Sequence, residues 1–195
     1  MKVNIQTNIK QVTKHLNVIQ KKQIPFAASN AINQTLFQTR KVMMKQTQQK
    51  LDRPIPFTVK GYLVTKAMKR NLTGILFVKG AVAKYLRFQI DGGIRKQDKR
   101  IGVPTDKAKL NQYGNIRGRK SGLIKKKTQF VQTINGTSGV WERTKKGTLQ
   151  LIVAFNNSVQ YESKFPFYKI GTKYIDSKFT SNFKKQMARA LRSAK

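Results

Sequence analysis

The chain contains no cysteine, one histidine and only seven acidic residues among 195. Without cysteine there is no disulfide framework, no thiolate zinc site and no cysteine nucleophile. A histidine base needs an orienting carboxylate and a nucleophile or bound water. The neighbours of His15 supply neither, so it reads as a surface or boundary residue, and a Ser-His-Asp triad or His-based metal site is excluded. Asp91, Asp98 and Asp106 fall in one region and are candidates for a Mg²⁺-dependent nuclease. Their spacing matches no motif and the surrounding lysines compete with a cation, so neither enzyme activity nor a cofactor or metal is expected. No phosphate-binding Gly-x-x-x-x-Gly-Lys-Ser/Thr loop and no dinucleotide fingerprint occurs. No segment is apolar enough to span a bilayer, no basic helix carries an exposed Trp or Phe face, and MKVNIQTNIKQV lacks the apolar core of a signal peptide. Synthesis in a cytoplasm and no membrane partner are the expectations.

What the chain has is positive charge. With 41 Lys and Arg the formal charge is +34, against a magnitude of about 2 to 8 that suits a small soluble domain. Self-repulsion on that scale opposes compaction unless polyanions, counterions or acidic partner chains neutralise it, so a polyanionic or acidic partner is expected. Nucleic acid leads, because Lys and Arg that displace condensed counterions gain affinity without any sequence code.

The organising stretch is residues 24–51, read as one long amphipathic helix. Pro25 suits its first turn, and Pro54 and Pro56 forbid continuation past Arg53. Ala28, Ile32, Leu36 and Met43, with Thr39, recur on one face, while Asn30, Gln34, Gln38, Lys41, Lys45 and Gln48 lie elsewhere. Upstream, residues 1–7 alternate as a short strand or arm. Asn8 is a candidate cap for a helix over 9–23, with a stripe at Ile9, Val12, Leu16 and Ile19 and a bend before Pro25.

After the prolines the texture turns to strand: 57–69, 72–79 and 83–90, the last with one wet face, closed by the Asp91-Gly92-Gly93 turn. Residues 129–134 form another strand before an Asn135-Gly136 turn. Residues 140–143 and 149–155 flank Lys145-Lys146-Gly147 as a hairpin, with Trp141 in or beside the core. Phe165-Pro166-Phe167 leads into a short helix to about 178. Ser181 then caps a terminal helix with Phe183, Met187, Ala190, Leu191 and Ala194 on one side and Lys184, Lys185, Arg189, Arg192 and Lys195 on the other. The expected fold is a single α+β domain over 1–195: long N-terminal amphipathic helices and a basic C-terminal helix packed on a mainly antiparallel β-sheet.

Residues 94–127 interrupt this pattern. They are polar, glycine-studded and without period, and are expected to be a mobile basic loop that orders against a partner. Arg95, Lys96, Lys99, Arg100, Arg117, Arg119, Lys120, Lys125, Lys126 and Lys127 are its candidate phosphate contacts, binding backbone without reading bases. Tyr113 is a candidate for base stacking.

Taken together, Ile9, Val12, Leu16, Ile19 and then IPFAASNAINQTLFQTR resemble the N-terminal half of the phage tail completion proteins, the minor tail protein Z group of lambda-like phages. Shared features are the proline followed by small residues, the Ala31-Ile32-Asn33 step and a second long helix. Related phage sequences also have Asp-Arg-Pro-x-Pro-Phe-Thr, here Asp52 to Thr58, Lys-Tyr-Leu with Gly-Gly, here from Lys84 to Gly93, and Phe-Pro-Phe before a basic helix. The resemblance implies a virion structural protein at the head-proximal end of the tail, needed for joining tail to DNA-filled head. It further implies a subunit of a six-fold ring around the tail lumen, beside the tail terminator, tail tube or neck proteins. Lumenal cations of such a ring would hold the end of the phage genomic DNA or meet acidic neighbours. The alternative is a stand-alone, non-sequence-specific nucleic-acid-binding protein, since no helix-turn-helix, RRM or KH signature occurs.

Overall fold

The structure is a computed structural model that describes residues 1–5, 18–116 and 126–193, the side chains of 5, 18–20 and 97–99 excepted. The fold is α+β with antiparallel sheets. It divides into two compact units, Met1–Ile90 with Lys164–Lys195, and Asp91–Ser163.

The first unit contains β1 (Lys2–Ile5), α1 (Val18–Lys50), α2 (Pro56–Val59), β2 (Tyr62–Thr65), β3 (Gly74–Val78), α3 (Gly80–Ile90) and α4 (Phe167–Ser193). Its sheet has the order β1-β3-β2, both pairs antiparallel, with Val3 opposite Leu76 and Val64 opposite Leu76. The expected face of α1 is the buried one: Ala28, Ile32, Leu36, Thr39 and Met43 are all fully buried. It meets β3 where there is no side chain. A Cβ on Gly74 would stand 2.5 Å from Leu36 Cδ1 and 2.7 Å from Ile32 Cγ2. Each buried aliphatic side chain there contributes about 1.5 to 3 kcal/mol, so this contact carries much of the unit.

Four readings of the sequence are corrected in this unit. The strand texture expected over 57–69 begins only at β2, because Pro56–Val59 form the helical turn α2. The long helix does not begin at Pro25, because α1 runs from Val18 through it. Proline's φ is helical, but inside a helix it loses the bond to the carbonyl four residues back and its ring crowds that carbonyl, at a cost of about 3 kcal/mol. The burial of Ala27, Ala28 and Ile32 directly after it offsets that loss. Residues 83–90 are helix, not strand. Val82, Leu86 and Ile90 are the buried positions of α3, at i, i+4 and i+8, and the Tyr85 hydroxyl lies 2.8 Å from Thr58 Oγ1. Leu86 and Ile90 fit both periods, and Phe88 between them completes a strand-like alternation. The C-terminal region is one helix with no break near 178. Ser181 lies inside it, and its buried residues are Phe167, Gly171, Ile175, Asn182 and Ala190. The expected stripe is therefore displaced: Ala190 is buried but Leu191 is 49% exposed. Ala194, Asn8, His15 and most of the 9–23 segment lie outside the described residues.

Helices α1 and α4 run antiparallel in contact. Met43 Cε would be 3.0 Å from a Cβ on Gly171, and farther along Asn182 and Gln186 bond to Thr35, Gln38 and Gln34. Phe165 and Phe167 are fully buried, and the Phe167 ring stacks on Tyr62 at 6.2 Å between centroids.

The second unit is a four-stranded antiparallel sheet in the order β4-β7-β6-β5, from β4 (Gly93–Pro104), β5 (Gln129–Ile134), β6 (Thr137–Arg143) and β7 (Leu149–Tyr161). The strand and turn expectations over 129–155 hold, with Asn135 and Gly136 both at positive φ. Trp141 is half-buried, its Nε1 donating to the Gln132 carbonyl at 3.1 Å. Residues 94–127 depart from expectation. Most of their first third is β4, paired with β7 from Gly93↔Tyr161 to Pro104↔Val153 with a bulge between Lys96 and Ile101. Ala108 and Ile116 then pack on the small core of Val140, Ile152 and Val153.

Replacing Gly74 with Ala should destabilise the protein by about 1 to 3 kcal/mol through overpacking, measured by chemical denaturation. Combining it with Leu36→Ala should lose clearly less than the sum of the single changes, because the truncated Leu36 vacates the space the new methyl occupies. Strict additivity would remove the Gly74–Leu36 contact as the cause.

Candidate nucleic-acid interface

Of the ten candidate cations, Arg95, Lys96 and Arg100 stand on β4 of the second unit, and Lys126 and Lys127 lie in the turn before β5. Lys99 is also on β4, with its side chain outside the description, and Arg117, Arg119, Lys120 and Lys125 lie outside the described residues. The six that are described therefore belong to β4 and to the turn before β5, not to one loop. Arg95 and Lys96 sit opposite Val159 and Ser158 in the β4–β7 ladder. Register to a strand about sixty residues away holds them, and nothing local in the sequence announces it.

Two clefts gather these residues with others that sequence reading missed. Arg100 Nη1 donates to Ser138 Oγ at 2.6 Å, and the two share a cleft of about 430 Å³ with Phe155, Asn156 and Ser158. The serine accepts from Arg100, so its own proton is free to donate outward. Lys126 and Lys127 line a cleft of about 600 Å³ with Phe130, Glu142, Arg143 and Lys145. There Lys126 Nζ pairs with Glu142 Oε1, and Gln129 Nε2 donates to Glu142 Oε2 at 3.1 Å. The Lys126 ammonium, helped by Gln129, holds the Glu142 carboxyl below the usual glutamate range. Neither cleft is announced by motif; only the hairpin signal that aligns β5 with β6 pointed toward the second.

Among the described residues no group of three or more His, Cys, Asp or Glu side chains is placed to hold a metal ion. Asp91 and Asp106 are exposed, Asp106 pairs with Lys107 at 3.0 Å, and the Asp98 side chain lies outside the description. Tyr113 is half-buried, and its N–H donates to Asn111 Oδ1 at 2.9 Å. No described helix is long and apolar enough to cross a membrane.

The distribution of charge differs from the sequence expectation. The first unit carries 26 Lys and Arg against two acids, Asp52 and Asp176, while the second carries 15 against five. The larger excess thus lies outside residues 94–127. Among the described residues there are three ion pairs, and the one in the first unit joins adjacent Asp52 and Arg53. Comparison with models of protein families, with curated proteins and with solved structures finds no match to this chain.

The Lys126–Glu142 pair sets a pH dependence. A carboxyl whose pKa is lowered in the folded state stabilises above its unfolded value, and that contribution is lost as pH falls through the folded pKa. Glu142→Gln should therefore lower stability near neutral pH by less than about 1 kcal/mol, as for an exposed pair, and flatten the acid limb below the ordinary glutamate value of 4.5. Amide exchange of β5 and β6 measured across that range checks it, and an unchanged acid limb would discount the pair.

Proposed function

We propose that this chain is a phage virion structural protein, a tail completion or neck ring subunit at the head-proximal end of the tail. It would be made in the host cytoplasm and act in the virion, beside tail terminator, tail tube or neck proteins. The observation that carries the reading is the uncompensated charge: a folded chain at +34 whose described residues hold three ion pairs. Self-repulsion at that charge opposes compaction unless polyanions, counterions or acidic partner chains neutralise it. The phage setting comes from the ordered resemblance described above, from Ile9 through Phe167. A six-fold ring of copies would multiply the charge around a narrow lumen, and cations such as Arg95, Lys96, Arg100 and Lys127 would hold the genome end through its phosphates. The ring needs head-to-tail contacts between copies. In this reading the protein has no catalytic role.

A stand-alone, non-sequence-specific nucleic-acid-binding protein is the second reading. It is favoured by the cation excess of the first unit, which would bind a polyanion without a ring.

Electron microscopy and infectivity of particles assembled without this chain separate the two. The virion reading expects heads and tails that form but stay apart, or that join into non-infectious particles. Normal infectious particles would overturn it and leave the second reading.

A further inference from the structure

Hydrogen bonding and charge converge on one seam of the first unit. Asn182 Nδ2 on α4 donates to Thr35 Oγ1 and Gln38 Oε1 on α1, each at 2.9 Å, and Gln186 Nε2 donates to Gln34 Oε1 at 2.7 Å. Beyond Gln186 the two helices border a cleft of about 550 Å³ lined by Phe26, Asn30, Gln34, Gln186 and Arg189. The seam is therefore floored by side-chain amides. Helical spacing in the antiparallel pair places cations at both ends of the seam, Lys41 and Lys45 toward the Met43–Gly171 contact and Lys185, Arg189 and Arg192 toward the Gln34–Gln186 contact. Lys41 and Lys45 follow Gln34 and Gln38 by seven residues, two turns along the same face. Lys178, Lys185 and Arg189 stand four before, three after and seven after Asn182, and Arg192 repeats Lys185 seven residues on. All six are exposed, and none takes part in an ion pair among the described residues. The one acid on α4, Asp176, is six residues from Asn182, a third of a turn round the helix.

We propose that this seam is a binding groove for the backbone of duplex nucleic acid, with the cations at its two ends on phosphates and the amides between them as an uncharged floor. The proposal rests on the polyanion partner argued above and moves its main contact from residues 94–127 to α1 and α4. The spacing favours nucleic acid over an acidic protein. Seven residues of helix rise about 10 Å, whereas a duplex presents a charge every ~1.7 Å of axis. Of the six, Lys178, Lys185 and Arg192 repeat at that interval, and the phosphate charge of a duplex, counted over both strands, is denser than the cations it would meet, while scattered carboxylates would have to match each one. Phe26 is the one aromatic lining the cleft, and Lys69 Nζ already lies 4.8 Å from the centre of its ring, so the groove provides no row of faces for stacking unpaired bases.

The test is the affinity of the purified full chain for a short mixed-sequence DNA duplex across a range of salt. A groove variant (K41Q, K45Q, K185Q, R189Q) is compared with a strand variant removing equal charge (R95Q, K96Q, K126Q, K127Q). The groove variant should bind at least about tenfold more weakly and lose about 2 to 4 from the slope of log affinity against log salt. The strand variant should lose less than half as much. Exchanging Lys and Arg at the same four groove positions should preserve the slope, and a loss there despite intact charge would overturn the electrostatic groove. Equal losses in the groove and strand variants, or loss in the strand variant alone, would also overturn it. Wild-type protein that does not bind the duplex would reject nucleic acid as the ligand, while the particle experiment judges the virion reading separately.

Discussion

The contact between α1 and α4 is the constraint on which the first unit depends, because that unit is assembled from both ends of the chain. Its sheet and α1 are in place by residue 90, yet its core is completed by Phe165, Phe167 and Ile175, which arrive only after the second unit. Gly171 lets α4 approach Met43 and Val3 closely. The N–H groups of Lys164 and Phe165 both donate to the Gln89 carbonyl at 2.8 Å, so the chain returns beside the point where it left. Phe167 then stacks on Tyr62, whose hydroxyl lies 2.5 Å from Thr47 Oγ1. Burial pushes that phenol up to about 12, which keeps it neutral and able to donate at any physiological pH.

A unit with 26 cations and two acids must solvate or shield its charge by other means, and it uses aromatic faces. Lys66 lies over Phe37, Lys69 over Phe26, Lys79 over Phe57 and Arg87 over Phe88, at 4.7 to 5.8 Å from the ring centres. Each such contact at an exposed site contributes about 0.5 to 1 kcal/mol, comparable to an exposed ion pair. A ring quadrupole differs from a carboxylate in one respect that matters here: it steadies a cation without cancelling its charge. The local contacts are satisfied while the total stays at +34, so neutralisation has to come from outside the chain.

Much of this was legible in the sequence where local pattern decides. The face of α1 from Ala28 to Met43, the Asp91-Gly92-Gly93 turn and the β5–β6–β7 hairpins follow from spacing and turn chemistry alone. What was not legible depends on partners distant in sequence. Strand β4 gains its structure from β7, and its run of charges hides any period. Residues 83–90 fit two periods, and only the packing of Val82, Leu86 and Ile90 chooses between them. On α4 the apolar count favoured Phe183, Met187 and Leu191, whereas the helix turned Asn182 inward because Thr35 and Gln38 offer it acceptors. For the site, Lys126 and Arg100 stand out in the sequence but the Glu142 and Ser138 that hold them do not, and the greater cation excess of the first unit is spread along the chain where that of 94–127 is clustered.

The polar character of the α1–α4 seam has a physical logic of its own. An apolar seam tolerates sliding by a turn, but amide pairs such as Gln34–Gln186 and the double acceptor of Asn182 exist only at one register. Leaving a buried amide unsatisfied costs about 1 to 3 kcal/mol. Amides are also the floor that least disturbs neighbouring cations. Carboxylates there would neutralise Lys41, Lys45, Lys185 and Arg189 internally, and a broad apolar floor would strip water from their ammonium and guanidinium groups. A seam of uncharged hydrogen-bonding groups fixes the two helices in register and leaves the charge at both ends at full strength, solvated and available to an external polyanion.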